Sequence, residues 1–101
     1  MSAQELTVVL GTYLADLEAV DANRPAHLEW IDEQVAAGRI LVAGRRTPPD
    51  GSVIVLRGVD AEAAHELMEQ DPHALKDLVR YDVAGVFTPS KFAPEIGALL
   101  E

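Results

Sequence analysis

The chain has no cysteine. That excludes disulfides, zinc–thiolate sites and a thiol nucleophile, and it fits a reducing compartment. No apolar run approaches the roughly 20 residues that a membrane-crossing helix needs. Met1 to Glu5 lacks the basic stretch and apolar run of a signal peptide, so a cytoplasmic protein is expected. Positive charge is also scarce, with 8 Lys and Arg against 17 Asp and Glu, a net charge of −9. Such a surface repels phosphate backbones, whose neutralisation is the first step of nucleic-acid binding. Neither nucleic acid nor membrane is an expected partner, and the excess charge reads as a source of solubility. Aromatic residues are few (one Trp, two Tyr, two Phe), so aliphatic side chains and alanine must fill the core. Glycine-rich phosphate loops, metal-ligand spacings and Ser, Thr or Cys nucleophile motifs are missing as well, and no cofactor is expected.

What remains is 101 residues of ordinary globular composition, enough for one domain spanning 1–101. Leu6 to Leu14 is rich in β-branched and apolar residues and reads as a strand. Ala15 to Asn23 reads as a polar connection. A helix is expected from Asn23 or Arg24, with Asn as cap and Pro25 in the first turn, ending at Gly38. Arg39 to Arg46 and Ser52 to Arg57 read as strands joined into a hairpin by Thr47-Pro48-Pro49-Asp50-Gly51. Asp60 caps a second helix from Ala61 to Gln70 or Asp71, which Pro72 halts. Leu78 to Thr88 alternates as a fourth strand, with Val79, Tyr81, Val83, Gly85 and Phe87 on one face. Residues 90–101 form a tail with a short helix at Pro94 to Leu100.

The order β-α-β-β-α-β implies an α+β, ferredoxin-like sandwich with an antiparallel sheet and both helices on one face. Its central strands are the first and third, which carry the continuous apolar runs Val8-Val9-Leu10 and Val53-Ile54-Val55-Leu56. A continuous run implies that both faces are covered. Two helices cover one. The second face is expected to be covered by another copy of the sheet in a homodimer, or in a higher assembly built from it. The alternative is a monomer with its tail folded across. The expected core contains Leu28, Ile31, Val35, Leu67, Val9 or Leu10, and Ile54 or Val55.

Two polar residues stand at the edges of apolar helix faces. His27 lies on the shoulder of the Leu28-Ile31-Val35 stripe, with Trp30 one turn on. It falls in the expected first turn, where the helix dipole disfavours imidazolium, so a neutral imidazole there could accept a proton. The plainer reading is a boundary histidine satisfied by a carbonyl or water. Asp71 follows Leu67 by four residues, on the same face and at the negative end of the dipole. A carboxylate so placed needs a cationic or donor partner, and His27 and Arg24 are the candidates. The alternative is a carboxylate that turns out into water. If they pair, His27 is a base and Asp71 its orienting partner, and the chemistry is proton abstraction or elimination on a small organic molecule. Arg24 would anchor an anion. His73 after Pro72 and Arg45 at the end of the second strand are further candidates to border the site. Solvated charges are the simpler reading for Arg45 and Arg46, and His65 reads as a surface residue.

The chain resembles the YCII-related proteins over nearly its whole length. The resemblance rests on Arg24-Pro25-Ala26-His27-Leu28, on Gly38-Arg39-Ile40-Leu41-Val42-Ala43-Gly44, on Asp50-Gly51 and on Asp71-Pro72. It implies a dimeric ferredoxin-like α+β barrel and an active site with a His-Asp pair, here His27 and Asp71. The enzymatic precedent it implies is dehydrochlorination of a chlorinated hydroxyquinol ring. Two positions depart from the family pattern. His73 stands where an aromatic residue usually follows Asp-Pro, and Arg45 follows Gly44 where Gly-Pro is frequent. A lyase-type enzyme is thus one reading. A non-catalytic ligand-binding or regulatory module on the same scaffold is the alternative, and cofactor-free monooxygenase chemistry is a third by analogy of fold.

Overall fold

Side chains alternate across a pleated strand, so one register decides which residues meet the helices. A computed structural model describes residues 5–100. Its elements are β1 (Leu6–Tyr13), α1 (Leu17–Ala36), β2 (Ile40–Arg45), β3 (Gly51–Arg57), α2 (Ala61–Met68), α3 (Pro72–Leu75), β4 (Val79–Phe87) and α4 (Pro94–Leu99). The strands form one antiparallel sheet in the order β2-β3-β1-β4, with β1 and β3 central as expected. Val9 pairs with Ile54, and Thr7 with Leu56; these four side chains are buried. Ile31 from α1 and Ala64 and Met68 from α2 join Val9, Ile54, Leu56, Val79 and Tyr81 in one core cluster. The alternate residues point to the opposite face, where Leu10 and Val53 are exposed, Val8 and Val55 half-buried and Leu6 buried. Among the described residues no helix is long and apolar enough to cross a membrane.

Three local expectations need correction. Helix α1 starts at Leu17, not at Asn23 or Arg24, because Asp16 caps it by accepting a hydrogen bond from the Ala19 N–H at 2.9 Å. Glu18 favours the positive end of the dipole in that first turn. Pro25 therefore lies inside the helix, where it lacks an N–H for the carbonyl four residues back. His27 is consequently mid-helix, not in the first turn as expected, and lies away from the positive end of the dipole. At the other end Gly38, at φ +79°, closes the helix by donating to the Val35 carbonyl at 3.0 Å, as the sequence implied.

The second correction concerns Asp71. Helix α2, capped by Asp60, ends at Met68, and Asp71 is instead the N-cap of α3. It faces the positive end of a short helix rather than the negative end of a longer one. The third is in β4, where the register against β1 shifts between Val8, paired with Gly85, and Val9, paired with Val83. Ala84 is left unpaired in a bulge, and the alternation changes phase there. Val86, opposite Thr7, takes the helix-facing side, while Gly85 and Phe87 leave it.

The phase of α1 also revises the expected core. Val20, Ile31 and Gln34 are its buried residues, whereas Leu28 and Val35 are exposed. Val9 and Ile54 take the buried positions that the sequence left open against Leu10 and Val55, and Leu67 packs partly buried against the cluster. Replacing Ile31 by Ala should destabilise the fold by about 2–5 kcal/mol. Val35→Ala should stay within roughly 0.5 kcal/mol, as for other exposed positions. Urea unfolding of the two variants checks this: equal losses would mean that α1 is rotated about its axis.

Candidate functional site

Asp71 has no exposed surface. A buried carboxylate persists as an ion only when donors surround it, and three do so here. His27 Nδ1 lies 2.8 Å from Oδ1 and 2.9 Å from Oδ2. The backbone N–H of His73 donates to Oδ1 at 3.2 Å, and the Tyr81 hydroxyl donates to Oδ2. Burial first, and then the charge of Asp71, push the Tyr81 phenol far above its ordinary range, so it remains a donor. Tyr81 has space because Gly11 lies beside it: a Cβ on Gly11 would sit 2.9 Å from the tyrosine ring.

With its Nδ1–H given to Asp71, His27 keeps Nε2 free as an acceptor. Its ring stacks on that of His73, centroids 4.1 Å apart at 10°, and Tyr13 meets His73 edge-on at 6.5 Å. Asn23 Nδ2 donates to His73 Nδ1 at 3.1 Å. That bond leaves the proton of a neutral His73 on Nε2, which is buried and has no hydrogen-bond partner among the described residues. Burial, reinforced by the neighbouring His27, lowers the His73 pKa from 6.5 to about 4. The stacked pair thus has one ring held neutral and one ring, His27, paired with a carboxylate.

His27 forms part of the wall of a cavity of about 110 Å³ between α1 and the β2–β3 hairpin. Leu28, Ile31 and Ile54 supply its apolar side, and Tyr13, Ser52, Arg24 and Arg45 its polar side. Leu28, expected in the core, is instead exposed and lines this cavity. Arg45 is fixed: its Nε donates to the Tyr13 hydroxyl at 3.0 Å and its terminal nitrogen to Asp21 at 2.5 Å. These bonds, that to Asp21 foremost, raise its pKa further. Among the described residues no three His, Asp or Glu side chains converge to hold a metal ion.

The structure therefore brings together His27, Asp71 and His73, with Arg24 and Arg45 lining the cavity that His27 shares. Of the two candidate partners of Asp71, His27 is the one that pairs with it, and Arg24 lines the cavity that His27 shares. Trp30, expected at the site, packs partly buried against the core cluster and does not line the cavity. His65 pairs on the surface with Glu69 at 3.2 Å, and Arg46 with Asp50 at 3.5 Å. Sequence reasoning missed Asn23, Tyr13, Ser52 and Tyr81. Tyr81 carried a readable signal: a tyrosine on the inward face of a strand must find a partner for its hydroxyl. Asn23 was hidden by its apparent role as a cap.

Residues 6–85 match the YCII-related domain. The chain belongs to the YCII-related family. No curated protein matches it. Among solved structures, this YCII-related chain is similar to 5-chloro-2-hydroxyhydroquinone dehydrochlorinase from Burkholderia phenoliruptrix, determined in complex with 2,5-dihydroxybenzoquinone. The TM-score is 0.62 at 18% identity, covering 90% of this chain and 97% of the other. At that identity the likeness is one of fold.

The neutral His73 links the site to stability. Unfolded, this histidine titrates near its ordinary 6.5; folded, near 4. Between those values the unfolded chain binds more protons, so stability is present above 6.5 and is lost as pH falls toward 4. In His73→Phe that share of the acid loss should disappear. Urea unfolding of both proteins across this interval measures it, and parallel curves would show that His73 is protonated in the fold.

Proposed function

We propose that this YCII-related protein is a lyase- or isomerase-type enzyme, in which His27 removes a proton from a small organic molecule. One observation carries the reading: a histidine whose Nδ1 is held by a buried carboxylate, 2.8 Å away, stands in the wall of a cavity lined by apolar and cationic side chains. His27 Nε2 accepts the proton. Asp71 holds the ring orientation and stabilises the imidazolium, and its bonds to Tyr81 and the His73 N–H hold its own oxygens in place. The electron pair released moves into the substrate, to an adjacent oxygen or toward a leaving group, and the imidazolium returns its proton to the product or to water.

The structural neighbour's name supports the same class, since dehydrochlorination removes a proton and a chloride. His73 and Arg45 occupy positions where the family pattern differs, so this chain's substrate is a separate question from its neighbour's. The test is solvent-deuterium exchange into a panel of enolisable acids and hydroxylated or chlorinated rings, with chloride release measured for the latter. His27→Ala should lower the rate about 10²–10⁴-fold, and Asp71→Asn should lower it with the fold intact. A panel member that binds in the cavity but exchanges no proton would identify a ligand-binding module instead.

The reading includes a homodimer, with two sheets stacked through their helix-free faces as a dimeric α+β barrel. Leu10, Val42, Val53 and Phe87 are exposed on that side, Val42 by 60%. The tail reaches the sheet where Arg57 donates to the Leu99 carbonyl at 2.6 Å, at the far end of β3 from Val53. An apolar surface of this kind is a liability on a free monomer. Light scattering should give twice the chain mass of 10.9 kDa, and Val53→Asp should shift the protein toward monomer. A monomer at micromolar concentration in the unmodified protein would refute the dimer.

A further inference from the structure

The chain carries 17 acidic and 8 basic residues, yet the cavity beside His27 reverses that balance. Among the described residues, two arginines line it and no carboxylate does. The arginines also differ in state. Arg39 donates to Gln34, Arg45 to Asp21 and Tyr13, Arg57 to the Leu99 carbonyl and Arg80 to Asp82, while Arg46 pairs with Asp50. Arg24 alone, among the described residues, has neither a hydrogen bond nor an ion pair, and it is the one whose side chain opens onto the cavity without being tied back to the protein. A guanidinium presents five donors in a rigid fork suited to an oxyanion. Left unpartnered in an acidic protein, with carboxylates plentiful elsewhere on the surface, it points to a ligand that supplies the missing anion.

We propose that the substrate is a small monoanion, a carboxylate or phenolate/enolate, whose charged oxygen is bound by Arg24 while its apolar body lies against Leu28 and Ile31. This rests on the function proposed above and names the substrate class for it. Arg24 and His27 are three residues apart on α1, so their Cβ atoms are neighbours on one helix face. The cavity, about 110 Å³ and open to solvent, is of the same order as the roughly 150 Å³ enclosed cavity known to hold benzene. Oxyanion and reacting atom therefore lie within about one ring of each other. Charge released when His27 takes the proton develops close to the arginine side of the cavity, where it is stabilised in place. Arg45, already neutralised by Asp21, is a wall and not the anchor.

The test uses matched pairs of probes: benzoate against benzamide, and pyruvate against its amide. Binding is followed by calorimetry and by NMR of the Arg24 Nε–H. Within at least one pair, the anion should bind at least about tenfold more tightly than the amide and should move the Arg24 resonance. The preference should weaken with added salt, vanish in Arg24→Gln and survive in part in Arg24→Lys. It should persist in His27→Ala, since it needs the anchor and not the base. Equal binding of anion and amide overturns the proposal, as does an anion preference untouched by Arg24→Gln, or the failure of both anions to bind. If the preference holds but proton exchange is absent, the anion site stands and the catalytic reading falls; the two fail separately.

Discussion

A carboxylate without access to water is costly unless it is surrounded by donors, and the centre of this protein is built around one. Asp71 receives bonds from three elements: the His27 ring from the middle of α1, the His73 N–H from the start of α3, and the Tyr81 hydroxyl from β4. Those three bonds fix how far α1 slides along the sheet and how α3 is set against it. They also fix the orientation of His27. Removing any donor leaves charge less compensated, so fold and site share the same constraint. Gly11 belongs to that constraint, because a side chain there would collide with the Tyr81 ring.

The same packing accounts for the cavity. α1 buries Val20, Ile31 and Gln34 and leaves Leu28 beside the hairpin. The seam between them is not filled by large side chains: Ala43 and Gly44 from β2 and Ser52 from β3 face it. Two arginines line it, one bound to Asp21 and one unbound. On a chain with net charge −9 this is a local inversion of sign. Low-dielectric walls on its apolar side concentrate the field inside it. His73, stacked on His27 and kept neutral by burial, adds a flat polarisable surface without adding a second cation beside the base.

The two faces of the sheet are filled on different terms. The helix side is closed by α1 and α2 within one chain, with Val9, Ile54 and Leu56 fully buried. The other side keeps Leu10, Val42 and Val53 exposed. The bulge at Ala84 accentuates the division by moving Phe87 to that side and Val86 to the helix side. Both faces of the central strands carry apolar residues, but the helix-facing set is buried while Leu10 and Val53 on the second face stay exposed among the described residues. The acidic helix faces and the apolar sheet face thus lie on opposite sides of a single layer.

By sequence alone, the strands, their order, the hairpin and the capping roles of Asp60 and Gly38 could be read, because each depends on local periodicity or on a residue's own backbone preference. The meeting of His27 and Asp71 was one of two readings that the sequence left open, reached by placing Asp71 on a face of α2; that helix ends at Met68, and it is the burial of the carboxylate that demands the partner. The start of α1 was not: Pro25 resembled a first-turn signal, and only packing along the whole sheet holds a 20-residue helix together across it. Nor was the role of Asp71 as the cap of α3, which depends on where α2 gives way. Asn23 and His73 lie 50 residues apart and His27 and Asp71 44 apart. Stacking, tautomer, burial and the unpaired state of Arg24 were decided when the tertiary fold closed those distances, because each is a property of two surfaces in contact and of no single segment.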